Sequence, residues 1–379
     1  MKMKRRELNE VKVLFIGKSI NSAPKVKRIY DFFKSRSSVK YIFILSESED
    51  DFNNFTYKSK YKYMSYIRLM YYFITSLFSM CLKRTDINEK KELLYAVNLP
   101  AAILGRLAKL FNKRYLLCYE AFEINVGMTR SIYSGRFRSF WRYIENWVIK
   151  GSDFFIATDE FRLKFLRRYY KIDPSKVSCE YIYNTRDSVD SIEFHDSDSV
   201  RICYCGGVMR GRNILETVLA LEKVIPGAEY NIYGSGDCKY INEMQLNLEC
   251  LGMDNVYFKG KYDNKKVDEI LSKEDITFSY YSNISLNNRL ASPNKLFDAM
   301  ASGVLILTSS YPLVRKLNKN GKVECIVVHD VESIYDFDDT FIYQEVDRNR
   351  KKRLKTVKLF NESYSWQAMG SKFEKLFYK

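Results

Sequence analysis

Along the chain, short apolar runs alternate with longer stretches in which apolar residues return every three or four positions, and the whole series occurs twice. A short continuous apolar run suits a strand buried on both faces, and the longer spacing suits an amphipathic helix. Their regular alternation predicts βαβ units on a mainly parallel sheet. In the first half the pattern predicts strands at residues 12–16, 41–45, 93–97, 115–119, 154–157 and 177–181, with helices between them. A polar, acidic stretch at residues 187–199 breaks the alternation and reads as a linker. The pattern then resumes, with strands expected at 201–205, 229–233, 256–259, 276–280, 304–308 and 325–328. The expected fold class is therefore α/β, with two doubly wound, Rossmann-like domains: 1–186 and 199–361. Such sheets take ligands beyond the carboxyl ends of their strands, so two facing domains would form a central cleft with a ligand on each side.

Composition agrees with packed cores. Of 379 residues 46% are apolar and 15% aromatic, and six prolines are too few for a disordered chain. Eight cysteines without a CxxC pair, beside two histidines, suit neither a disulfide framework nor a Cys/His metal site, so no metal and a reducing cytoplasm are expected. His195 and His329 have no further histidine to complete a ligand set, and Asp196-Ser-Asp198 lies in the acidic linker and reads as solvated. The amino terminus reads as a first strand, and the longest uncharged apolar stretch, residues 69–82, is shorter than the roughly 20 residues of a membrane span.

Charge changes the picture more. The net charge of +16 falls wholly within residues 1–190, which hold 36 Lys+Arg against 20 Asp+Glu; the rest of the chain is neutral. A charged half beside a neutral half implies different partners. Residues 57–84 have basic ends around an aromatic middle, which fits either an amphipathic helix on an anionic membrane or an internal helix with a core face. Basic faces at 25–34 and 162–168 fit both.

Three elements of the second half bear on chemistry. Strand 201–205 runs into Gly206-Gly-Val-Met-Arg-Gly-Arg-Asn213, where paired glycines admit a phosphate and Arg210 and Arg212 supply charge; alone, the same residues also suit a tight turn with solvated arginines. Gly234-Ser-Gly-Asp237 forms a second turn at a strand end. The third element is Ser292-Pro-Asn-Lys-Leu-Phe-Asp-Ala-Met-Ala-Ser-Gly303, with Ser292 as cap, Pro293 in the first helical position and Gly303 at the far end. Lys295 in its first turn suits a phosphate and Asp298 a ribose; the alternative is an ordinary capped helix.

Taken together with Asn255-Val-Tyr-Phe-Lys-Gly260, this series resembles the nucleotide-sugar half of GT-B glycosyltransferases, family 4 above all. In the first half Asn98-Leu-Pro100, Tyr119-Glu-Ala-Phe-Glu123 and residues 145–157 are similar to further segments of that family, and Tyr364-Ser-Trp366 opens a helix like the one that crosses back to the first domain. The resemblance implies a GT-B fold, residues 362–379 packing on the first domain, and sugar transfer from a UDP- or GDP-sugar with retention and without a metal or other cofactor. It implies that Arg212 and Lys295 hold the diphosphate, assisted by Arg210, and that Gly206, Gly207, Gly234 and Gly236 admit it. Asp298 would bind ribose, Asn294 and Leu296 would line the nucleotide, and Tyr262 or Tyr281 would flank the base or sugar. Leu290 stands where the family has a glutamate, which shifts sugar contacts to Asn288, Arg289 or Asn294. Phe122 stands where a histidine is common, which shifts an acid/base role to Glu120 or Glu123, with Glu123 preferred.

Joined to the basic half, the resemblance leads to an acceptor attached to a lipid, in capsule, O-antigen or other surface polysaccharide synthesis, by a cytoplasmic enzyme peripheral to the inner membrane face. A nucleotide-sugar epimerase shares the fold but needs no basic acceptor face. A basic nucleic-acid-binding protein is the reading from another class; it leaves the glycine turns unexplained, so nucleic acid is not an expected partner.

Overall fold

The computed structural model describes residues 8, 10–16, 23–36, 38–46, 55–56, 74–75, 77–78, 80, 91–128, 135–194, 199–282, 285–321, 323–329 and 338–378. The chain forms two compact units, Met1–Tyr183 with Gly370–Lys379, and Asn184–Met369. Most of the 57–84 segment and all of 195–198 lie outside the described residues, including His195, Asp196 and Asp198; residues 74, 75, 77, 78 and 80 are helical.

In the first unit the strands are β1 (Glu10–Ile16), β2 (Ser38–Ser46), β3 (Phe55–Thr56), β4 (Glu92–Val97), β5 (Tyr115–Ala121), β6 (Phe154–Ala157) and β7 (Ser178–Tyr181). They form one sheet in the order β3-β2-β1-β4-β5-β6-β7. All pairs are parallel, with Val11 opposite Val39 on one side and Leu93 on the other. β4 and β5 are buried along their whole length, as continuous apolar runs covered on both faces must be. Helix Glu160–Tyr169 starts where the Asp159 carboxylate accepts the amides of Phe161 and Arg162. The carboxyl-terminal helix Trp366–Phe377 lays Phe373 against Phe32 and Phe377 against Phe154, each pair 5.0 Å apart at the ring centroids.

The second unit repeats the plan with β8 (Arg201–Cys205), β9 (Glu229–Tyr233), β10 (Val256–Gly260), β11 (Ile276–Ser279), β12 (Leu305–Thr308) and β13 (Ile326–Val328). Their order is β10-β9-β8-β11-β12-β13, again parallel. Ile202, Tyr204, Val218, Leu221, Tyr230, Phe278 and Leu305 lie in its core. Cys203 and Cys205 are buried thiols within β8. The long helix Asp339–Ser363 is tied to the sheet by Arg350 and Arg353, whose guanidinium groups share the Asp275 carboxylate at 2.7–2.8 Å. In both sheets the strand order reverses beside the first strand, between β1 and β4 and between β8 and β11. That reversal opens the crevice in which doubly wound sheets hold ligands. Among the described residues no group of histidine, cysteine and carboxylate side chains suits a metal, and no helix is long and apolar enough to cross a membrane.

Candidate functional site

The switch point of the second sheet gathers the glycine turns. β8 is followed by Gly206, whose amide donates to the Tyr233 carbonyl at 2.9 Å, so the β8 turn and the Gly234-Ser-Gly236 turn run side by side. Val208 continues the pairing, donating to the Ser235 carbonyl and accepting from the Asp237 amide. Two backbones this close leave no room for side chains. A Cβ on Gly234 would stand 1.8 Å from the Gly206 carbonyl oxygen, and one on Gly236 2.0 Å from that of Val208. Gly206 is constrained from the other side, since its Cβ would meet Lys295 Cε at 2.8 Å.

Lys295 reaches this point from the first turn of helix Asn294–Ser302. Its Nζ lies 3.3 Å from the centroid of the Tyr204 ring, and the Tyr204 hydroxyl donates to the Gly207 carbonyl at 2.9 Å. The ammonium therefore sits on an aromatic face at the rim of the glycine turn. Burial, aided by the positive charge of Arg212, pushes Lys295 down to about 7. Arg212 stacks on the Tyr281 ring at 4.2 Å, and Tyr281 is fixed in turn by the Tyr311 hydroxyl, which accepts its amide at 2.9 Å. Among the described residues neither Lys295 nor Arg212 has a carboxylate within ion-pair distance. Two basic side chains beside a glycine backbone at the amino end of a helix form an arrangement suited to an anion.

Other expected residues are arranged differently. Arg210 leaves the group: its guanidinium pairs with Glu243 and stacks on Tyr240 at 5.1 Å, in an exposed position. Leu296 is wholly buried, so its side chain belongs to the core. Asn294 is exposed. The helix cap is displaced by one residue: Pro293 occupies the N-cap in extended geometry, and the buried Ser292 hydroxyl has no hydrogen-bond partner among the described residues. Gly303 closes the helix at φ 65°, as expected. The Asp298 carboxylate is engaged by Arg186, at 3.2 Å, and the same guanidinium binds Asp268 at 2.8 Å. Tyr262 stands edge-on to Tyr233 at 6.3 Å, near the charges of Asp298 and Arg186. Asn288 turns its amide to the Ser282 carbonyl at 2.7 Å, while Arg289 is exposed.

The two carboxylates of the first unit separate clearly. Glu120 is not beyond the strand end but within β5, fully buried, where Lys25 pairs with it at 2.5 Å and the Tyr95 hydroxyl donates to it at 2.5 Å. Burial lowers Lys25, whose ammonium also donates to the Ile182 carbonyl at 2.7 Å. That enclosure leaves Glu120 out of reach of a reacting group. Glu123 lies after the strand and is half-exposed, 3.7 Å from Arg162. Three residues that shape these sites had no distinct signal in the sequence. Tyr204 read as an ordinary strand residue, Arg186 as the last residue of the first domain and Lys25 as one of many basic residues on a helix.

Residues 210–362 match the family model described as "Glycosyl transferase-like". No curated protein matches the sequence. Among solved structures the chain is similar to Anabaena HepE in complex with UDP and glucose, at a TM-score of 0.69 and 12% identity over 97% of this chain and 98% of that one. It is similar to sucrose-phosphate synthase from Thermosynechococcus elongatus, at 0.66 and 14% over 97% and 98%. It is also similar to WaaG, a glycosyltransferase involved in lipopolysaccharide biosynthesis, at 0.62 and 11% over 97% and 99%. The chain has the GT-B fold, and its residues 210–362 are similar to the glycosyl transferase-like family.

Proposed function

We propose that the protein is a glycosyltransferase of the family 4 type, moving a hexose from a nucleotide diphosphate sugar to a glycan acceptor carried on a lipid. The observation that carries this reading is the pair Arg212 and Lys295, cations lacking a carboxylate partner among the described residues, at the glycine-lined end of β8. When the glycosidic bond to the donor breaks, the nucleoside diphosphate leaves with added negative charge. Fixed cations and free helix amides stabilise that charge most as it develops, which lowers the barrier in the role a metal plays elsewhere. Lys295, held near 7 by burial and Arg212, gains its proton as the diphosphate arrives. Tyr281, stiffened by Tyr311, and Tyr262 supply flat faces for base or sugar. Uracil is the base favoured by the likeness to HepE, which was solved with UDP-glucose. Surface polysaccharide synthesis at the cytoplasmic membrane face is favoured by the likeness to WaaG together with the basic first half. Glu123 is the acid/base residue of this reading, with retention as the stereochemical outcome.

A thermal-shift panel of UDP, GDP, ADP and CMP, each with its common sugar conjugates, tests the donor site, because a ligand of the folded state raises the melting temperature. UDP and a UDP-sugar are expected to raise it, and Arg212→Ala to abolish the shift. No shift with any nucleotide, or an undiminished shift in that variant, overturns the assignment.

A further inference from the structure

The first unit carries an exposed aromatic and cationic face to which the donor chemistry proposed above assigns no role. The turn Gly135–Phe137 leads into helix Arg138–Gly151, and every residue from Gly135 to Phe140 is exposed. The inner side of the helix is anchored. Val148 and Ile149 are buried, and the Glu145 carboxylate accepts the Tyr119 hydroxyl and the Asn125 amide at 2.8 Å and the Tyr170 hydroxyl at 2.5 Å. On the outer side Phe137, Phe140 and Tyr143 are 68%, 55% and 67% exposed. Steps of three residues keep them within about a third of the helix circumference. A soluble surface seldom groups three open aromatic rings without a partner for them.

Arginines interleave these rings. Arg136, Arg138 and Arg142 are all exposed, and the first helical turn holds no acidic residue. Cations at this end oppose the helix dipole, so the local field is strongly positive. Among the described residues no carboxylate lies within ion-pair distance of Arg136 or Arg142. Arg138 donates to the Val126 carbonyl at 2.9 Å, which fixes the face beside the segment that follows β5, where Glu123 also lies.

A second copy of the chain would oppose one positive face to another. Single-stranded nucleic acid is held in grooves, whereas these rings stand on a convex helix surface. An anionic bilayer suits both features, since aromatic rings settle at the boundary of head groups and acyl chains while arginines remain with the phosphates. We propose that Phe137, Phe140 and Tyr143 dock the first unit on an anionic phospholipid surface, with Arg136 and Arg142 pairing with lipid phosphates. The proposal rests on the membrane part of the function given above and is independent of the donor chemistry.

Vesicle flotation of the full chain tests it. The wild type is expected to float with phosphatidylcholine vesicles containing about 30% phosphatidylglycerol and to stay behind with pure phosphatidylcholine. The triple variant Phe137→Ser, Phe140→Ser, Tyr143→Ser is expected to lose at least about tenfold in partition. The variant Arg136→Gln, Arg142→Gln is expected to lose the preference for anionic lipid. Both should retain far-UV circular dichroism and the melting shift with UDP. Undiminished flotation of the triple variant overturns this face while leaving membrane binding by another surface intact. Absence of flotation by the wild type, with the UDP shift preserved, overturns both the face and the membrane reading but not the donor site. Displacement of vesicles by a labelled oligonucleotide that the triple variant fails to bind assigns the face to nucleic acid instead.

Discussion

Lys295 shows how burial and a neighbouring charge act on one residue. Its ordinary value is 10.5 and its folded value about 7, because burial and Arg212 both oppose the charge. Between about pH 7 and pH 10.5 the unfolded chain therefore holds a proton that the folded chain lacks, so the contribution of this group to stability improves as pH rises through that window. Below pH 7 both states are charged and the burial cost is felt in full. A diphosphate bound at Lys295, as proposed, would reverse the preference. At pH 8 UDP binding is expected to take up about one proton, seen in calorimetry as a heat that varies with the ionisation enthalpy of the buffer. Lys295→Met should remove that uptake and weaken UDP by about 1.5–3 kcal/mol, a typical value for a charged hydrogen bond. Unchanged proton uptake in the variant would place the titrating group elsewhere. Gly234 offers a steric counterpart: Gly234→Ala sets a methyl group against the Gly206 carbonyl in a backbone region at φ 146° that favours glycine. Chemical denaturation should show a loss of about 2–3 kcal/mol, accompanied by weaker UDP binding.

At the scale of elements, the helices around the site depend on ionic anchors between residues remote in sequence. Asp275, almost wholly buried, receives Arg350, Arg353 and the Arg201 amide, which joins helix Asp339–Ser363 to the start of β8. Asp275→Ala leaves the buried Arg353 without its carboxylate, and about 3 kcal/mol of stability should be lost in urea titration, with little dependence on salt. A loss that disappears at high salt would mark a surface interaction instead. Such anchors were not legible in the sequence, although the elements they join were. Apolar runs located the strands because a parallel sheet buried on both faces requires continuous apolar sequence, and Gly303 marked a helix end because its left-handed conformation suits glycine. The cap at Ser292 failed because the burial of Leu296 and Phe297 fixes where the helix begins as firmly as local capping preference does. The two arginines after Gly206 were indistinguishable by composition. Glu243, on a helix 33 residues away, draws Arg210 aside, and Tyr281 retains Arg212. Likewise the sequence marked Asp298 as a ribose acceptor but not its ion pair with Arg186, 112 residues distant.

For the whole molecule, charge and chemistry are divided between two units with separate sheets. The excess of positive charge lies in residues 1–190, while the glycine turns, Arg212, Tyr204 and Lys295 all lie in the unit Asn184–Met369. If the donor reading holds, nucleotide alone engages only the second unit, and the stabilisation it confers should be confined there. Hydrogen exchange followed by mass spectrometry can resolve this, because amides open by local fluctuations whose free energies a ligand raises where it binds. With UDP near 100 times its dissociation constant, the binding term is about 2.7 kcal/mol, or roughly a hundredfold slowing for amides that exchange only from the unliganded state. Slowing is expected at residues 206–213, 233–237 and 294–300, and none at residues 115–128 or 135–151. Equal slowing in both units would mean that nucleotide alone engages the first unit as well. Slowing restricted to the first unit would remove the anion site at β8 from the donor altogether.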